Sequence, residues 1–273
     1  MEMLNKIITK NHQHIKNLFN NANGFRHVVI DNFFEKTIAK SLLEVKKKIN
    51  NSDIFYHHVN EKKEAISKIE KMPAEIATVV HYLNSNIFLT KLESLTGYEN
   101  LIPDFELHGG GIHITRNGGY LEPHLDFKTH TNNKKWRRVL NLIIYLNENW
   151  VDNFNGHLCL YDIKNRSIIN KIKPIFNRAV IFETNELSLH GHPDKLNTPQ
   201  NIYRLSLALY YYIYEENITS RSTQYFSTPS DSRLRVVAKF FDNYLLKIYH
   251  FLRTKGFIND KLVSSLIKKI FKK

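Results

Sequence analysis

His124 and Asp126, separated by Leu125, are the first residues whose types and spacing suggest chemistry. They lie within residues 120–127, which read as a turn leading into a strand. Because residues i and i+2 of a strand face the same way, the imidazole and the carboxylate converge on one point, while Leu125 points to the opposite side. A converging histidine and carboxylate are a candidate pair of metal ligands.

A His-x-Asp triplet also arises by chance, and a second one runs from His192 to Asp194. Pro193 lies inside that second triplet and argues against a regular strand there. We therefore expect the ligand pair to be His124 and Asp126. The alternative is that this triplet is ordinary turn or surface chemistry.

A third ligand is expected from residues 187–192, which contain His190 and His192. These two histidines are themselves two residues apart, so strand geometry alone does not choose between them. Two histidines and one carboxylate on one side of a metal leave other coordination positions open, as non-haem Fe(II) oxygenases require. Zinc accepts the same ligands.

Arg204 begins a run that alternates cleanly as a strand. The pattern places Arg204, Ser206 and Ala208 on one face and three leucines on the other. A buried arginine is costly unless an anion meets it, and its planar guanidinium suits a carboxylate. The anion is either a protein Asp or Glu or, in combination with the metal ligands, a bound cosubstrate.

Residues 139–146 form a second apolar strand pattern, in which Asn141 and Tyr145 share a face. Both side chains are candidates to donate hydrogen bonds to a bound acid. The alternative for Tyr145 is a tyrosine at the rim of a barrel, with an apolar body and a solvated hydroxyl.

Together these residues resemble the prolyl 4-hydroxylase-like branch of the 2-oxoglutarate/Fe(II)-dependent oxygenase superfamily, over roughly residues 25–214. Residues 107–113 resemble the family's glycine-rich approach to the first ligands, and residues 138–147 resemble its strand ending in Tyr-Leu-Asn. One departure is the Asn-Gly pair at 155–156, where many relatives have Gly-Gly.

This resemblance implies a complete metal and cosubstrate site. Fe(II) is expected on His124, Asp126 and His190, and Arg204 is expected to bind the distal carboxylate of the cosubstrate 2-oxoglutarate. The further cosubstrate-binding candidates are Tyr145, Ser206, Asn141 and His113. No catalytic side chain beyond the metal ligands is expected, because the cofactor carries the chemistry. Ascorbate is the implied candidate reductant.

The implied reaction hydroxylates a C–H bond of a protein residue, an amino acid or a glycan, using dioxygen and converting 2-oxoglutarate to succinate and CO2. The sequence does not indicate the primary substrate. The rival hypothesis is a catalytically silent jelly-roll binding module with a basic tail that binds a membrane or a partner. Intact ligand, arginine and tyrosine positions disfavour it, because a binding module has no need for all of them.

The element pattern predicts an α+β fold with a double-stranded β-helix core, a cupin-like jelly roll. Short β-rich runs between turns mark residues 107–216 as this core. Residues 1–106 are expected to contribute a strand and helices that pack on it. Residues 217–273 read as a basic amphipathic helical tail, with a last short helix after Asp260.

The net charge of +13 is concentrated in residues 233–273, where eleven basic and two acidic residues contribute +9. The small remainder makes nucleic acid an unlikely partner for the core. A single cysteine, Cys159, excludes an intramolecular disulfide, and the first residues do not resemble a signal peptide. We expect a cytoplasmic protein without a transmembrane segment, since no stretch approaches about 20 apolar residues.

The tail carries an apolar stripe from Val236 to Leu252, and two interpretations of it stay open. The stripe either packs on the core with its charges in water, as most amphipathic helices do, or attaches the protein to the periphery of an anionic membrane. In the second interpretation the flanking cations contribute; they are Arg233, Arg235, Lys239, Lys247 and Arg253.

Overall fold

A computed structural model describes residues 2–46, 48–49, 52–254, 257–258 and 263. The helices in these residues are α1 (Lys6–Lys10), α2 (His12–Asn20), α3 (Lys36–Lys46), α4 (Ala74–Leu83), α5 (Asn86–Thr96) and α6 (Arg233–Thr254). The strands are β1 (His27–Ile30), β2 (Ile54–His58), β3 (Glu61–Ile66), β4 (Ile102–Pro103), β5 (Gly111–Thr115), β6 (Tyr120–Leu125), β7 (Trp136–Tyr145), β8 (Leu158–Tyr161), β9 (Ile168–Ile172), β10 (Ala179–Glu183), β11 (His190–His192), β12 (Arg204–Tyr214) and β13 (Gln224–Tyr225).

The strands form one curled sheet in the order β1-β10-β7-β12-β5-β3-β6-β11-β8-β9. Strand β2 pairs with β3, β4 with β12, and β13 with β6. Every ladder is antiparallel, and the curl encloses a cavity between its two halves. The predicted double-stranded β-helix core with supporting helices is therefore confirmed.

Strand β12 shows how alternation builds both the core and the cavity. Leu205, Leu207 and Leu209 are buried in the large apolar cluster that the N-terminal helices complete. Burying each such leucine stabilises the fold by about 1.5–3 kcal/mol. Arg204 and Ser206 lie on the opposite face and line the cavity, as the alternation predicted.

Gly111 allows β5 to run close to β3. Its φ is +96°, and a Cβ at this position would lie 2.2 Å from the backbone oxygen of Ile66. A side chain would therefore both strain the backbone and collide with the neighbouring strand. This is the structural reason for a glycine at this point of residues 107–113.

The hairpin of β2 and β3 was not predicted from the sequence. It pairs Ile54 with Ala65 through His58 with Glu61, and β3 also pairs with both β5 and β6. Its charged residues obscure the alternation of apolar and polar side chains that marks a strand, because several of them form ion pairs instead of facing solvent. Glu61, for example, lies 3.1 Å from the ammonium of Lys63. The hairpin forms one wall of the cavity.

Helix α6 confirms the predicted helical tail, but its orientation contradicts one interpretation of the apolar stripe. Phe240 and Tyr244 are 70% and 61% exposed, whereas Lys239 is buried against the core. The interpretation that the stripe packs on the core is therefore wrong. The short helix predicted after Asp260 lies outside the described residues, apart from Val263. No described helix is both long and apolar enough to cross a membrane.

Candidate functional site

The structure brings His124, Asp126 and His190 together, with one ligand atom from each lying within 4.8 Å of the others. His124 lies near the end of β6, and Asp126 follows that strand directly. His190 begins β11 and is the register partner of His124. The Nε2 atoms of His124 and His190 each lie 3.6 Å from a carboxylate oxygen of Asp126.

Backbone carbonyls set the tautomer of both histidines. The Nδ1 of His124 lies 2.9 Å from the Glu122 oxygen, and the Nδ1 of His190 lies 2.8 Å from the Ser188 oxygen. Since a carbonyl only accepts, Nδ1 carries the hydrogen and each Nε2 presents its lone pair. Burial and the neighbouring His124 lower the pKa of His190 to about 4, so the ring is neutral at physiological pH.

Contacts with Asn141 and Arg138 keep the Asp126 carboxylate ionised. Its Oδ2 accepts a hydrogen bond from the Asn141 amide at 2.8 Å and lies 3.1 Å from Nη2 of Arg138. Burial alone raises the pKa of Asp126, but the positive charge of Arg138 is the largest of the effects that outweigh it and hold the pKa well below its usual value. Two neutral imidazole nitrogens and one carboxylate oxygen are the donor set that Fe(II) takes in non-haem oxygenases, so these residues fit that metal.

Arg138 is the main contributor that the sequence pattern did not identify. Regular alternation would place it on the face opposite Asn141, yet its Nε donates to the Asn141 side-chain oxygen at 2.8 Å. A β-bulge explains this, because Tyr211 and Tyr212 of β12 pair with Leu140 and Arg138, which leaves one extra residue on β7. The bulge turns Arg138 inward, where its guanidinium carbon stacks 3.3 Å from the ring centre of Tyr210.

The two neighbouring histidines have different positions in the structure. The register of β11 shifts between His190 and His192, so only His190 lies in the cluster of ligand atoms. Gly191 permits this, because a Cβ there would lie 2.8 Å from the Leu121 and Glu122 carbonyls of β6. His192 lines the cavity instead. Asp194, from the second His-x-Asp triplet, is on the surface, 3.3 Å from the ammonium of Lys171.

Arg204 is buried, with no carboxylate partner among the residues that the structure describes. Its Nε donates to the Gly156 carbonyl at 2.8 Å, and its Nη2 donates to the Tyr145 hydroxyl at 3.3 Å. These two bonds orient the guanidinium and leave donor capacity for an anion. The sequence indicated Gly156 only as a departure from the family; here its carbonyl anchors the arginine.

Two buried polar atoms near Arg204 lack a hydrogen-bond partner among the described residues, Oγ1 of Thr115 and Nδ1 of His192. Thr115 is the register partner of Arg204 on β5, and the charge of Arg204 is among the causes that lower the pKa of His192, after burial. Unpaired buried polar groups are unfavourable unless a ligand or water satisfies them. The surroundings of Arg204 therefore fit an acidic cosubstrate.

The remaining sequence candidates differ in their positions. Ser206 is the register partner of both Tyr145 and His113, so these three lie together with Arg204 on the cavity side. His113 Nε2 lies 3.0 Å from the Gly109 carbonyl, and burial and Lys63 lower its pKa to about 3. Asn141 lies four residues before Tyr145 on β7, and its side-chain amide donates a hydrogen bond to Asp126. This hydrogen bond positions the Asp126 carboxylate and does not involve Arg204.

The cavity has a volume of about 800 Å³ and reaches from Arg204 past the histidine cluster to the surface. Its outer wall combines the β2–β3 hairpin with α6, through residues such as Tyr56, His58 and Leu246. Neither wall was assigned to the site from the sequence. The sequence signal available for the hairpin is the aromatic and histidine content of residues 54–58.

A second cluster, formed by Asp104, His108 and His130, also brings potential ligand atoms within 4.8 Å. Nδ1 of His130 accepts the backbone N–H of Asn133 at 3.0 Å, so the hydrogen of the neutral ring is on Nε2. That atom lies 3.5 Å from Asp104 and 3.2 Å from Nδ1 of His108. A hydrogen-bond network accounts for this cluster without a metal.

Residues 110–212 match the family model of the 2OG-Fe(II) oxygenase superfamily. No curated protein sequence matches the chain. The structure of a Pseudomonas putida prolyl-4-hydroxylase is 14% identical, covering 72% of this chain and 98% of that chain with a TM-score of 0.52. A prolyl 4-hydroxylase structure from Phytophthora capsici is 21% identical, covering 93% and 77%, also with a TM-score of 0.52. These two structures share the fold.

Proposed function

We propose that this chain hydroxylates a C–H bond of a protein residue, an amino acid or a glycan. Its residues 110–212 match the model of the 2OG-Fe(II) oxygenase superfamily. In the same reaction 2-oxoglutarate and dioxygen yield succinate, CO2 and the hydroxylated product. The observation that carries the proposal is that one cavity contains both the ligand atoms of His124, Asp126 and His190 and a buried Arg204 without an acidic partner among the described residues.

His124, Asp126 and His190 would hold Fe(II), which when bound supplies the redox chemistry that couples dioxygen to decarboxylation and hydroxylation. The protein's own contribution is orientation. The Glu122 and Ser188 carbonyls fix the imidazoles, and Asn141 and Arg138 fix the carboxylate. Such supporting contacts usually change metal affinity or activity by about 10–100-fold when removed.

Arg204 would bind the distal carboxylate of 2-oxoglutarate. Its guanidinium is already oriented by Gly156 and Tyr145, so little side-chain freedom is lost when the anion binds. Thr115 and Ser206, its neighbours across and along the sheet, offer hydroxyls to the same group. In the buried setting of Arg204 an ion pair with a carboxylate is stronger than at the surface.

The primary substrate would enter between the hairpin of β2 and β3 and helix α6. Aromatic side chains line this part of the cavity, among them Tyr56, Phe127, Tyr210 and Tyr225. They exclude water and offer flat apolar surfaces for a ring or an extended chain. Because the two structural relatives are prolyl 4-hydroxylases, proline-containing peptides are the first substrate class to test, followed by free amino acids and glycans.

The test is reconstitution with Fe(II) without oxygen, then addition of 2-oxoglutarate, ascorbate as the reductant, a candidate substrate and oxygen. Succinate is measured, and the substrate is examined by mass spectrometry for one added oxygen atom. Asp126→Ala should lose iron and succinate formation together. Asp194→Ala is the matched control, because Asp194 belongs to the other His-x-Asp triplet and is on the surface.

The same assay distinguishes the neighbouring histidines. His190→Ala should lose stoichiometric iron, whereas His192→Ala should retain most of it, because only His190 lies with the other ligand atoms. The reverse result would move the third ligand by two residues. Full turnover by Asp126→Ala would refute the proposed function itself.

A further inference from the structure

Helix α6 presents an apolar face to solvent. The exposed large side chains on this face, here called the α6 apolar face, are Leu234, Val237, Phe240, Phe241, Tyr244, Leu245 and Ile248. Leu234 is 84% exposed and Phe240 is 70% exposed. Spacings of three and four residues place these side chains on one side of the helix. Isolated exposed apolar residues are ordinary, but a contiguous set of this kind marks an interaction surface.

The opposite, polar side of α6 is the side that contacts the core. Lys239 is buried, with its ammonium 2.6 Å from carboxylate oxygens of both Glu122 and Asp231. Asp242 lies 3.0 Å from Nδ1 of His58. Asn243 pairs with both the N–H and the carbonyl of Tyr225 in β13, at 3.1 and 2.8 Å. These specific contacts hold the helix with its apolar face outward.

Charge determines which partner fits the α6 apolar face. Arg233 and Lys247 are exposed on the same helix, and residues 255–273 add six lysines against one aspartate. A second copy of this chain would bring a tail of the same strong positive charge to the contact, which opposes pairing. An anionic lipid surface has the complementary charge and accepts apolar side chains. Each basic residue near such a surface adds to the attraction.

We propose that α6 docks this protein onto an anionic lipid surface. The helix lies in the plane of the interface, with Phe240, Phe241 and Tyr244 inserted among the lipids and Arg233 and Lys247 close to the headgroups. Aromatic side chains beside cations are typical of helices that lie in a membrane interface. Leu245 belongs to both the α6 apolar face and the lining of the cavity, so the mouth of the cavity faces the lipid side.

The test uses the full chain in vesicle flotation, with vesicles of phosphatidylcholine alone or mixed with phosphatidylserine. Binding is expected to the mixed vesicles and to weaken as salt rises from about 0.1 M to about 1 M, which shortens the Debye length from about 10 Å to about 3 Å. The triple variant Phe240→Ser, Phe241→Ser, Tyr244→Ser should bind at least roughly tenfold more weakly, since its inserted apolar surface is lost. Ile87→Ser with Ile168→Ser is the matched control, because both are exposed and lie elsewhere.

A fluorescence variant, Phe240→Trp, separates lipid from other occupants of the surface. Its emission, taken as the difference from the wild type, should be that of a solvated indole without vesicles and should shift to the blue with phosphatidylserine vesicles. A blue-shifted signal without vesicles would show that this chain or a second copy covers the face, and would overturn the proposal. So would equal flotation of the triple variant and the wild type, or no flotation of the wild type at low salt.

Discussion

Two regions of this protein bury charged side chains, and they do so in opposite ways. In the cavity, Arg204 is buried beside two hydroxyls without a carboxylate partner among the described residues. At the contact between α6 and the core, the buried ammonium of Lys239 lies 2.6 Å from two carboxylates. The cavity keeps an uncompensated charge for a ligand, whereas the α6 contact uses compensated charge to hold one element in place.

The two regions meet at Glu122 of β6. Its carboxylate binds Lys239 and Arg235 of α6, while its backbone carbonyl sets the tautomer of His124. Tyr225, which α6 holds through Asn243, packs its ring 5.5 Å from the ring of His124. The contact that docks the helix is therefore next to the strand that carries a proposed metal ligand.

The largest effect on stability is expected from removing the charge of Lys239. Lys239→Met leaves Glu122 and Asp231 buried with less compensation, so the free energy of unfolding should fall by about 3–5 kcal/mol. Arg204→Met removes the bonds to Gly156 and Tyr145, but it also removes a buried charge without a carboxylate partner among the described residues. Because these two effects oppose each other, its free energy of unfolding should stay within about 1 kcal/mol of the wild type. Urea denaturation measures both.

Lys247→Met is the control for this comparison, because Lys247 is exposed on the same helix. It should change the free energy of unfolding by less than about 0.5 kcal/mol. Equal destabilisation by Lys239→Met and Arg204→Met would remove the contrast between the two regions.

A smaller effect, on binding alone, is expected from Arg204→Lys. Lysine retains the charge but loses the planar guanidinium and its bonds to Gly156 and Tyr145, so 2-oxoglutarate should bind roughly 10–100-fold more weakly. Iron should be retained, because Arg204 is not among the ligand atoms. Isothermal titration measures the affinity, with Arg166→Lys on the surface as the control. Unchanged affinity would exclude Arg204 as the cosubstrate anchor.

The smallest effect is expected in the pH dependence of the α6 contact. Burial opposes the charge of His58, but Asp242 and Glu61 outweigh it and raise the pKa of His58 to about 9. A raised pKa means that the stabilisation is complete below the unfolded value of 6.5 and is lost as pH rises through about 9. Despite burial, Lys63 and His58 lower the pKa of Glu61, so its contribution is lost as the pH falls below the unfolded value of 4.5.

Hydrogen exchange of the α6 amides reports this contact directly. The wild type should lose protection between pH 7 and pH 10, by an amount on the order of 1–2 kcal/mol after correction for intrinsic exchange. His58→Gln should show little of this change, and His14→Gln, on the exposed side of α2, should behave as the wild type. If His58→Gln and His14→Gln lost the same amount of protection, groups other than His58 would be responsible for the pH dependence.

The sequence alone was sufficient to predict the elements that depend on local pattern. Strict alternation in residues 204–210 predicted which side chains of β12 face the cavity, and the same two-residue period brought His124 and Asp126 together. These predictions hold because the pleat of a strand alternates its side chains whatever its neighbours are. The long amphipathic pattern likewise predicted α6, since helical periodicity is a local property.

The tertiary structure decided what depends on pairing between distant strands. Cross-strand register, with a shift inside β11, placed His190 and not His192 beside His124. A bulge in β7 turned Arg138 toward Asp126 against the expected alternation. For α6, periodicity predicted two faces but not which one meets the core. The contacts of Lys239 with Glu122 and Asp231 hold the polar face against the core, and helical periodicity does not predict them, because Glu122 lies on a distant strand.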